Sequence, residues 1–412
     1  MQTITIIAIV LAAIGTGLII SDRRRDKYSP WQATVIPLAS ILGSGFLISA
    51  PLLGRQLGNN AIFGMVALVA IAYLFGEAIR FNIQYLEPRM EKGDKGLPFT
   101  IERISFYVLA AGYVIAVAFY LNLLSGFILE GFFQIDRPLI TNIVTSAFIV
   151  VIALLGWWKG LDILESVTKN AANLNLILIV GFFLGLLSYN AQALAEGRWL
   201  SLTENPQFGW EAMRSLLGLI FLTQGFEVSR FLSSKYDYAL RVKTMRYAQL
   251  IAGAIYILLI ALTTTMFGLP GGQSTIAVLE YSQLVVLVLP FLMVIAAFCS
   301  QLSAAVADTV GSGGLMVAIT EKQLFVQRPA RTDYFIVAGL ALILTWLTDV
   351  VEIVSIASRV FAVFYGLQCA AALTLAFKTP GVKNRFLNMA LFITAIFICL
   401  LIVIFAKSAF YN

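Results

Sequence analysis

The stretch that decides the fold is residues 37–51, PLASILGSGFLISAP, in which two glycines interrupt an apolar run of membrane length. The other half of the chain carries a second interruption, within residues 216–231, LLGLIFLTQGFEVSRF. Glycine weakens a helix, and lipid offers no hydrogen bonds to the backbone groups that a broken helix leaves free. Paired interruptions at matching places in two halves therefore predict a buried solute-binding site between two broken helices.

The composition places the chain in a membrane. Its 412 residues are 60% hydrophobic and 12% charged, unlike the residues of soluble globular proteins. Apolar runs long enough to cross a bilayer recur from end to end, and no polar stretch is long enough for a soluble domain. The lipid bilayer is thus an expected partner. No nucleic acid is expected, because the excess basic residues flank the apolar runs.

Hydropathy and breaker residues predict an all-α integral membrane protein with about twelve transmembrane helices. Turn-forming residues such as 136–138 and 270–272 separate several of these spans. The predicted limits are 4–20, 32–55, 60–84, 101–133, 138–158, 162–189, 209–233, 240–268, 276–310, 333–350, 352–378 and 385–407.

The 28 Lys and Arg residues are distributed unequally between alternate loops. Cytoplasmic loops carry the excess of positive charge, so placing Arg23, Arg24, Arg25 and Lys27 inside assigns most basic residues to the cytoplasm. This orientation puts both termini outside, in a cell membrane that we expect to be a bacterial inner membrane. The leading run Ile4–Ile20 is expected to be a genuine span rather than a signal peptide, because its basic cluster follows the apolar stretch.

The spans fall into two sets of opposite orientation. Spans two to six begin inside and spans seven to eleven begin outside, so the two sets of five are expected to be inverted repeats. Each glycine interruption falls in the first helix of its set. The expected organisation is an extra leading helix and basic loop over 1–30, a first repeat over 31–190, a second repeat over 207–378 and a C-terminal helix over 383–412.

The residue types exclude several kinds of chemistry. The chain has no histidine, and its three cysteines, Cys299, Cys369 and Cys399, are isolated in apolar segments. This pattern offers no disulfide framework, no transition-metal site and no histidine-based catalytic triad. The acidic residues are scattered along the sequence, so we expect neither an enzyme nor a resident cofactor.

Three short motifs resemble signatures of the amino acid–polyamine–organocation (APC) superfamily. Residues Leu42-Gly43-Ser44-Gly45-Phe46 resemble its first-helix signature, Gly225-Phe226-Glu227 its sixth-helix motif, and residues 72–77 its second-helix pattern. Placed in order, the motifs cover spans two to eleven. The resemblance implies the leucine-transporter fold, with a five-plus-five inverted-repeat core and a central site between the first and sixth core helices. Members of the family usually begin inside, whereas this chain carries an additional leading span.

The resemblance also implies a secondary active transporter that works by alternating access. Its expected cargo is an amino acid or a related small amine or zwitterion, moved with a sodium or proton gradient. The alternatives are another small organic solute or ion on the same fold, or a channel or sensor that uses this scaffold. Nothing in the sequence resembles a selectivity filter, which disfavours the channel.

The interruptions predict which residues contact the cargo. Backbone N–H groups at a half-helix start receive a carboxylate, and carbonyls on the other side of a break suit a small cation. The alternative interpretation of the first interruption is a small-residue face for helix packing. The expected substrate residues are Ser40, Gly43, Ser44, Gly45, Phe46, Phe221, Gln224, Gly225 and Phe226.

The ninth span, around residues 299–305, is similar to the stretch that completes a sodium site in sodium-coupled members of the fold. The resemblance implies sodium ligands from the carbonyls of Ala39 and Leu42 and from Ser300 and Ser303. The alternative for Ser303 is a hydrogen bond within its own helix. Asp308 is expected either to take a proton or support the cation, or to cap its helix. Proton-coupled members carry a lysine on the fifth core helix; Lys169 is the nearest lysine, and Asn175 falls closer to that depth.

Three charged residues are gating candidates. Glu77 is expected to pair with Arg80 or Arg230 at the inner gate. Glu227 lies at membrane depth, where an ionisable residue is a functional candidate, and its alternative role is an ion pair with Arg230 three residues on. Arg359 is expected to be an outer-gate cation, or to pair with Glu352. Three residues of the third core helix are expected to line the pathway or to pack: Tyr113, Tyr120 and Asn122.

Overall fold

The computed structural model describes residues 29–159, 162–197, 209–233, 236–267, 277–285, 289–321, 333–379, 381–382 and 384–407. Within these ranges the chain forms thirteen α-helices and no β-strand. The predicted leading span over 4–20 lies outside the described residues. The helices are α1 (Ser29–Leu57), α2 (Ala61–Phe81), α3 (Glu87–Glu91), α4 (Leu97–Phe133), α5 (Pro138–Lys159), α6 (Asp162–Ala195), α7 (Trp210–Leu217), α8 (Tyr238–Thr263), α9 (Ala277–Val285), α10 (Leu289–Glu321), α11 (Asp333–Leu347), α12 (Val350–Lys378) and α13 (Arg385–Phe405).

The all-helical membrane class is confirmed. Among the described residues, eight helical stretches are long and apolar enough to cross a membrane, and α11 is a shorter apolar helix. On α13, Phe386 is 82% exposed and Ile404 is 63% exposed. A helix face with such large bare apolar side chains fits contact with lipid rather than water. The complete arrangement of about twelve spans stays a prediction.

One predicted span differs from the observed elements. The predicted span 276–310 contains the described helices α9 and α10, and residues 286–288 between them lie outside the described residues. The predicted span 209–233 consists of α7 and two short 3₁₀ turns, Ile220–Thr223 and Phe226–Leu232.

The longest helix, α4, lies at the centre of the bundle. It packs against α5, α10, α11 and α12, and 78% of its most apolar window is buried within the protein, compared with 22% for α13. A helix that is apolar on all sides is expected to be surrounded by other helices. Side chains of α4 therefore reach the interior of the bundle from several directions.

The first glycine interruption does not break its helix. We predicted an opened turn at residues 43–45, but α1 is a continuous α-helix through them. The glycines serve close packing instead, which was the alternative interpretation. A Cβ atom on Gly45 would lie 2.5 Å from the carbonyl oxygen of Leu222, and one on Gly43 would lie 3.1 Å from the Cβ of Ala304.

The second interruption does break its helix. Between the two 3₁₀ turns, Gln224 is extended, with φ −77° and ψ 175°, and Gly225 has a left-handed φ of 113°. A Cβ atom on Gly225 would also lie 2.7 Å from the backbone nitrogen of Ile41. Only glycine meets both conditions without strain. We call residues 218–227 the break segment; it lies directly on the glycine face of α1.

Candidate functional site

The backbone groups that the break frees are satisfied by side chains from other helices. Ser358 of α12 accepts a hydrogen bond from the backbone N–H of Phe221 at 3.1 Å and donates one to the carbonyl of Gly218 at 2.7 Å. The hydroxyl of Tyr256, on α8, lies 2.8 Å from the carbonyl oxygen of Leu222. We predicted that the freed backbone groups would be available to bind a cargo. That prediction is wrong for these three groups, because backbone groups at the depth of the lipid must find hydrogen-bond partners inside the protein.

The same tyrosine joins the break to α1. Its hydroxyl also lies 2.8 Å from the carbonyl oxygen of Ile41, so α8, α1 and the break segment meet at one point. Ser40 lies at this contact too, because its Oγ would be 2.7 Å from a Cβ on Gly225. The structure thus brings Ser40, Gly45 and Gly225 together, as predicted from the sequence.

We expect Ser358→Ala to destabilise the break selectively. The substitution leaves the N–H of Phe221 and the carbonyl of Gly218 buried without their serine partner, at a cost of about 1–3 kcal/mol. The measurement is the unfolding midpoint of the purified protein in detergent. Thr394→Ala is the control, because Thr394 is exposed and its hydroxyl donates to the carbonyl of Ala390 within its own helix; equal midpoints for the two variants would contradict the expected role.

Aromatic rings surround the break segment. Phe221 packs edge-on against Phe119 at 5.2 Å, and Phe226 stacks on Tyr365 at 5.2 Å. The amide of Gln224 donates a hydrogen bond to the hydroxyl of Tyr120 at 2.7 Å. The predicted residues Phe221, Gln224 and Phe226 therefore form one buried cluster with α4 and α12.

Two predicted substrate residues fall elsewhere or outside the description. The ring of Phe46 pairs with Phe183 of α6 at 6.2 Å, so it is turned toward α6. The side chain of Ser44 lies outside the described residues.

Asn122, which was predicted to line the pathway or to pack, donates to Asn142 at 3.4 Å and links α4 to α5. One small cavity lies between α4, α5, α10 and α11, and another lies between α1, α2, α8 and the break segment.

Two carboxylates are buried next to the break. Glu227 is 0% exposed and Asp308, on α10, is 1% exposed. One oxygen of Glu227 accepts hydrogen bonds from the backbone N–H of Gly225 at 3.0 Å and from the hydroxyl of Tyr365 at 3.0 Å. Asp308 does not cap its helix, because α10 continues to Glu321. Both carboxylates therefore belong to the interior of the bundle.

Arg230 does not pair with Glu227; it pairs with two other glutamates. Its guanidinium binds Glu87 of α3 at 3.0 Å and also contacts Glu102 of α4. Arg241 of α8 binds the second oxygen of Glu87 at 2.7 Å. Two arginines and two glutamates thus balance in charge, and all four are at most 4% exposed. Buried charges are tolerated when they are paired in this way.

Gln368 completes this charge network from α12. Its carbonyl oxygen accepts from Arg230 at 2.8 Å, and its amide donates to Glu102 at 2.8 Å and to Ser105 at 2.8 Å. Asn82, just after α2, donates to the same oxygen of Gln368 at 2.8 Å. We call Arg230, Arg241, Glu87, Glu102 and Gln368 the inner network. We call residues 210–232, which include the break segment, the break helix. The inner network fastens the end of the break helix to α3, α4, α8 and α12.

Glu77 and Arg359 are the other two gating candidates. Glu77 binds Arg80 at 2.7 Å, which confirms the first of its two predicted partners. Arg80 is itself buried and also contacts the amide oxygen of Gln249 on α8. Arg359 is exposed, and its guanidinium donates to the backbone carbonyl of Ala406 just after α13. That contact ties α12 to the end of α13.

The predicted sodium ligands lie where α1 meets α10. Ser300 is buried, and its Oγ would be 3.7 Å from a Cβ on Gly43. Its hydroxyl has no hydrogen-bond partner among the described residues. The amide of Gln301 donates to the carbonyl of Gly43 at 3.0 Å. The carbonyls of Ala39 and Leu42 belong to the same stretch of α1, while Ser303 is half-buried one turn further along α10.

Comparison with known proteins identifies the family. A family model for APC superfamily transporters matches residues 23–406 of the chain. The chain belongs to the APC superfamily of transporters. The match begins after the leading apolar run and includes both glycine interruptions. A protein of Aquifex aeolicus (strain VF5), described as an uncharacterized protein, is 37% identical over 384 residues, which cover 92% of this chain and 91% of that protein.

The resemblance seen in the three motifs is thereby confirmed. Membership of a transporter superfamily implies a multi-pass membrane protein with a small-molecule substrate. It indicates a transporter rather than an enzyme.

Sequence reasoning missed most of the inner network. Glu87, Glu102 and Arg241 lie near predicted span ends, where charged residues are ordinarily solvated. Gln368 offered a usable signal, because it is an isolated amide inside the apolar run of α12. Ser358 and Tyr256 carried no distinctive pattern, since lone hydroxyls are common in membrane helices.

Proposed function

We propose that this protein is a secondary active transporter that moves an amino acid, or a related small amine or zwitterion, across a bacterial inner membrane by alternating access. The observation that carries the proposal is the helix break at Gln224 and Gly225, held against α1 in the interior of an APC superfamily transporter. A broken helix at membrane depth is found where it borders a solute pathway.

The proposed scaffold is the leucine-transporter fold, with two inverted repeats over 31–190 and 207–378 and both termini outside. Three packing relations support it. The break segment packs on α1, α10 also packs on α1, and α4 packs on both α10 and α12. In this scheme α1 and the break helix are the first members of their repeats, so the cargo site lies where their glycine faces meet.

The chemistry around the break supports a small polar cargo with an apolar part. Ser40, Gln224 and Tyr120 supply hydrogen-bonding groups, while Phe221 and Phe226 supply apolar surface. Sites for small molecules usually combine a mainly apolar lining with a few placed polar groups. Glu227 adds a negative charge suited to an ammonium group.

The inner network is the proposed inner gate. Under the predicted orientation it lies at the cytoplasmic end of the break helix. It joins Arg230 to α3, α4, α8 and α12, so moving the break helix away from them requires breaking two buried ion pairs. Alternating access needs such a discrete closed state on each side.

Two positions are proposed for the coupling ion. A sodium ion would use the carbonyls of Ala39 and Leu42 with the hydroxyls of Ser300 and Ser303, since oxygen ligands suit a hard cation. A proton would use Asp308. If a sodium gradient drives uptake and Ser303→Ala abolishes that uptake, the coupling ion is sodium at the first position. If Ser303→Ala leaves the response to sodium unchanged, the sodium site is wrong.

We expect purified protein in liposomes to accumulate at least one labelled amino acid or small amine when a sodium or pH gradient is imposed. Accumulation ceases when an ionophore collapses the gradient. A thermal-shift screen of the same compounds provides a second readout, because a ligand that binds the native state raises the unfolding midpoint. No gradient-dependent accumulation and no shift across the panel would overturn the proposal.

A further inference from the structure

The end of α13 is held by arginines from two other helices. Arg214, on α7, donates from Nε to the backbone carbonyl of Phe405 at 3.1 Å. Arg359, on α12, donates to the carbonyl of the next residue, Ala406. The last carbonyls of a helix have no partner within it and carry its partial negative charge, so they are good acceptors for arginine. We call residues 405–407 the strap, because they join α7 to α12.

The strap binds α7 from its first turn to its last. The backbone N–H of Lys407 donates to the carbonyl of Arg214 at 3.1 Å, and its ammonium group forms an ion pair with Glu211 at 2.9 Å. The ring of Phe405 packs edge-on against Trp210, with the ring centres 5.2 Å apart. Side chains and backbone thus fasten the first half of the break helix to the strap.

The strap also lies directly on the break segment. A Cβ atom on Gly218, the first residue of that segment, would lie 2.2 Å from the carbonyl oxygen of Lys407. The backbone of Gly218 is in the ordinary helical region, with φ −71° and ψ −8°. Its conformation therefore does not require a glycine, and the close approach of the strap explains the glycine there.

The two sides of the strap differ in how firmly they are held. α13 packs mainly against α12 and far less against α7, and the Cβ of Cys399 on α13 lies 3.4 Å from where a Cβ on Gly366 of α12 would be. The side chains of Arg214, Lys407 and Glu211 are 32%, 29% and 55% exposed. Groups that already face water exchange a protein partner for water at little cost. The contact with α7 is therefore the side that can open.

We propose that the strap is the outer gate of this transporter. Anchored on α12, it holds α7 closed, and α7 leaves it each time the pathway opens to the outside. The inference rests on the proposed function and supplies the outer closure that alternating access needs opposite the inner network. Under the predicted orientation, α7 and the end of α13 lie on the outer side of the membrane.

The hinge for this movement lies at Gly218. α7 ends at Leu217 and the following 3₁₀ turn begins at Ile220, so Gly218 belongs to neither element. Ser358 holds the carbonyl of Gly218 on α12 at 2.7 Å. Hinges are short stretches at the ends of elements that absorb a change in backbone angles. α7 can thus swing away from the strap while the break segment keeps its bonds to α12.

Linking the strap to α7 tests the proposal in the full-length protein. Glu211→Cys with Lys407→Cys places two thiols where the ion pair now lies, and a short bifunctional methanethiosulfonate linker joins them before reconstitution into liposomes. We expect the linked protein to lose gradient-driven accumulation of a labelled mixture of proteinogenic amino acids and small amines, because α7 cannot leave the strap. A reducing agent that crosses the membrane should restore accumulation. A contact that only stabilises the fold would tolerate the link.

The matched control links two helices to which the proposal assigns no relative movement. Trp346 of α11 donates to Ser146 of α5 at 3.1 Å on an exposed surface, so Ser146→Cys with Trp346→Cys takes the same linker. Its linked and reduced forms should accumulate the compounds equally. Wild-type protein treated with the linker controls for the three native cysteines. Unchanged accumulation after positions 211 and 407 are linked, or equal losses for both pairs, overturns the outer gate.

Spin labels on the cysteines at positions 211 and 407 give a readout that needs no transport. Two nearby nitroxides broaden each other's spectrum, and the broadening disappears when α7 leaves the strap. Gly218→Ala pushes a methyl group against the carbonyl of Lys407, so we expect a larger separated fraction than in Gly126→Ala, whose Cβ meets nothing within 4 Å. Equal spectra for these two variants overturn the proposal. Spectra that differ as expected, without accumulation of any compound, support the movement of α7 while the proposed function fails.

Discussion

Gly225→Ala is expected to abolish accumulation of cargo while the protein still reaches the membrane. Gly225 has a left-handed φ of 113°, which costs about 1–2 kcal/mol for a residue with a Cβ. The new methyl group would in addition lie 2.7 Å from backbone atoms of Ser40 and Ile41, so α1 and the break segment must separate. Because the proposed cargo site is this contact, we expect uptake to fall by at least about tenfold, equivalent to 1.4 kcal/mol.

The matched control is Gly126→Ala on α4. A Cβ there meets nothing within 4 Å, and alanine is the better helix former. Gly45→Ala approaches the same contact from the other side, since its Cβ would lie 2.5 Å from the carbonyl oxygen of Leu222, and should share the defect. Equal uptake by Gly225→Ala and Gly126→Ala would show that transport does not depend on the break at Gly225.

Arg230→Ala is expected to cause the largest loss of stability. It leaves Glu102 buried without its cation and removes one of the two partners of Glu87, and breaking a buried ion pair in this way costs about 3–5 kcal/mol. The unfolding midpoint in detergent should fall sharply. Arg246→Ala is the control, because Arg246 is 47% exposed and lies 3.9 Å from Glu77, where a surface pair contributes about 0–1 kcal/mol.

The double variant Arg230→Ala with Glu102→Gln separates charge from packing. Removing the orphaned charge should restore part of the lost stability, and a double-mutant cycle measures that coupling. If the double variant is less stable by the sum of the two single effects, the two residues do not act as a pair.

Arg230→Ala should also change transport, because it removes the proposed inner gate. In liposomes, we expect this variant to let cargo leak down its gradient without the coupling ion.

The sequence by itself determined the class of this protein and most of its helices. Long apolar runs have one stable form in lipid, because a helix satisfies its own backbone hydrogen bonds. The pairing of residues 43–45 with residues 224–227 was also visible, since two glycine-rich points recur in the two halves. The three motifs around Gly43, Gly76 and Gly225 led to the family that the wider comparison confirmed.

Only the tertiary structure decided what each glycine does. Gly225 opens its helix because Ser358, Tyr256 and Glu227 supply partners for the freed backbone groups, whereas the glycines of α1 keep their helix intact and let another backbone approach. Partners of this kind come from helices far away in the sequence, so no local pattern encodes them. The same holds for Arg230, whose glutamates lie on α3 and α4. A buried charge is stable only with a neighbour that packing delivers.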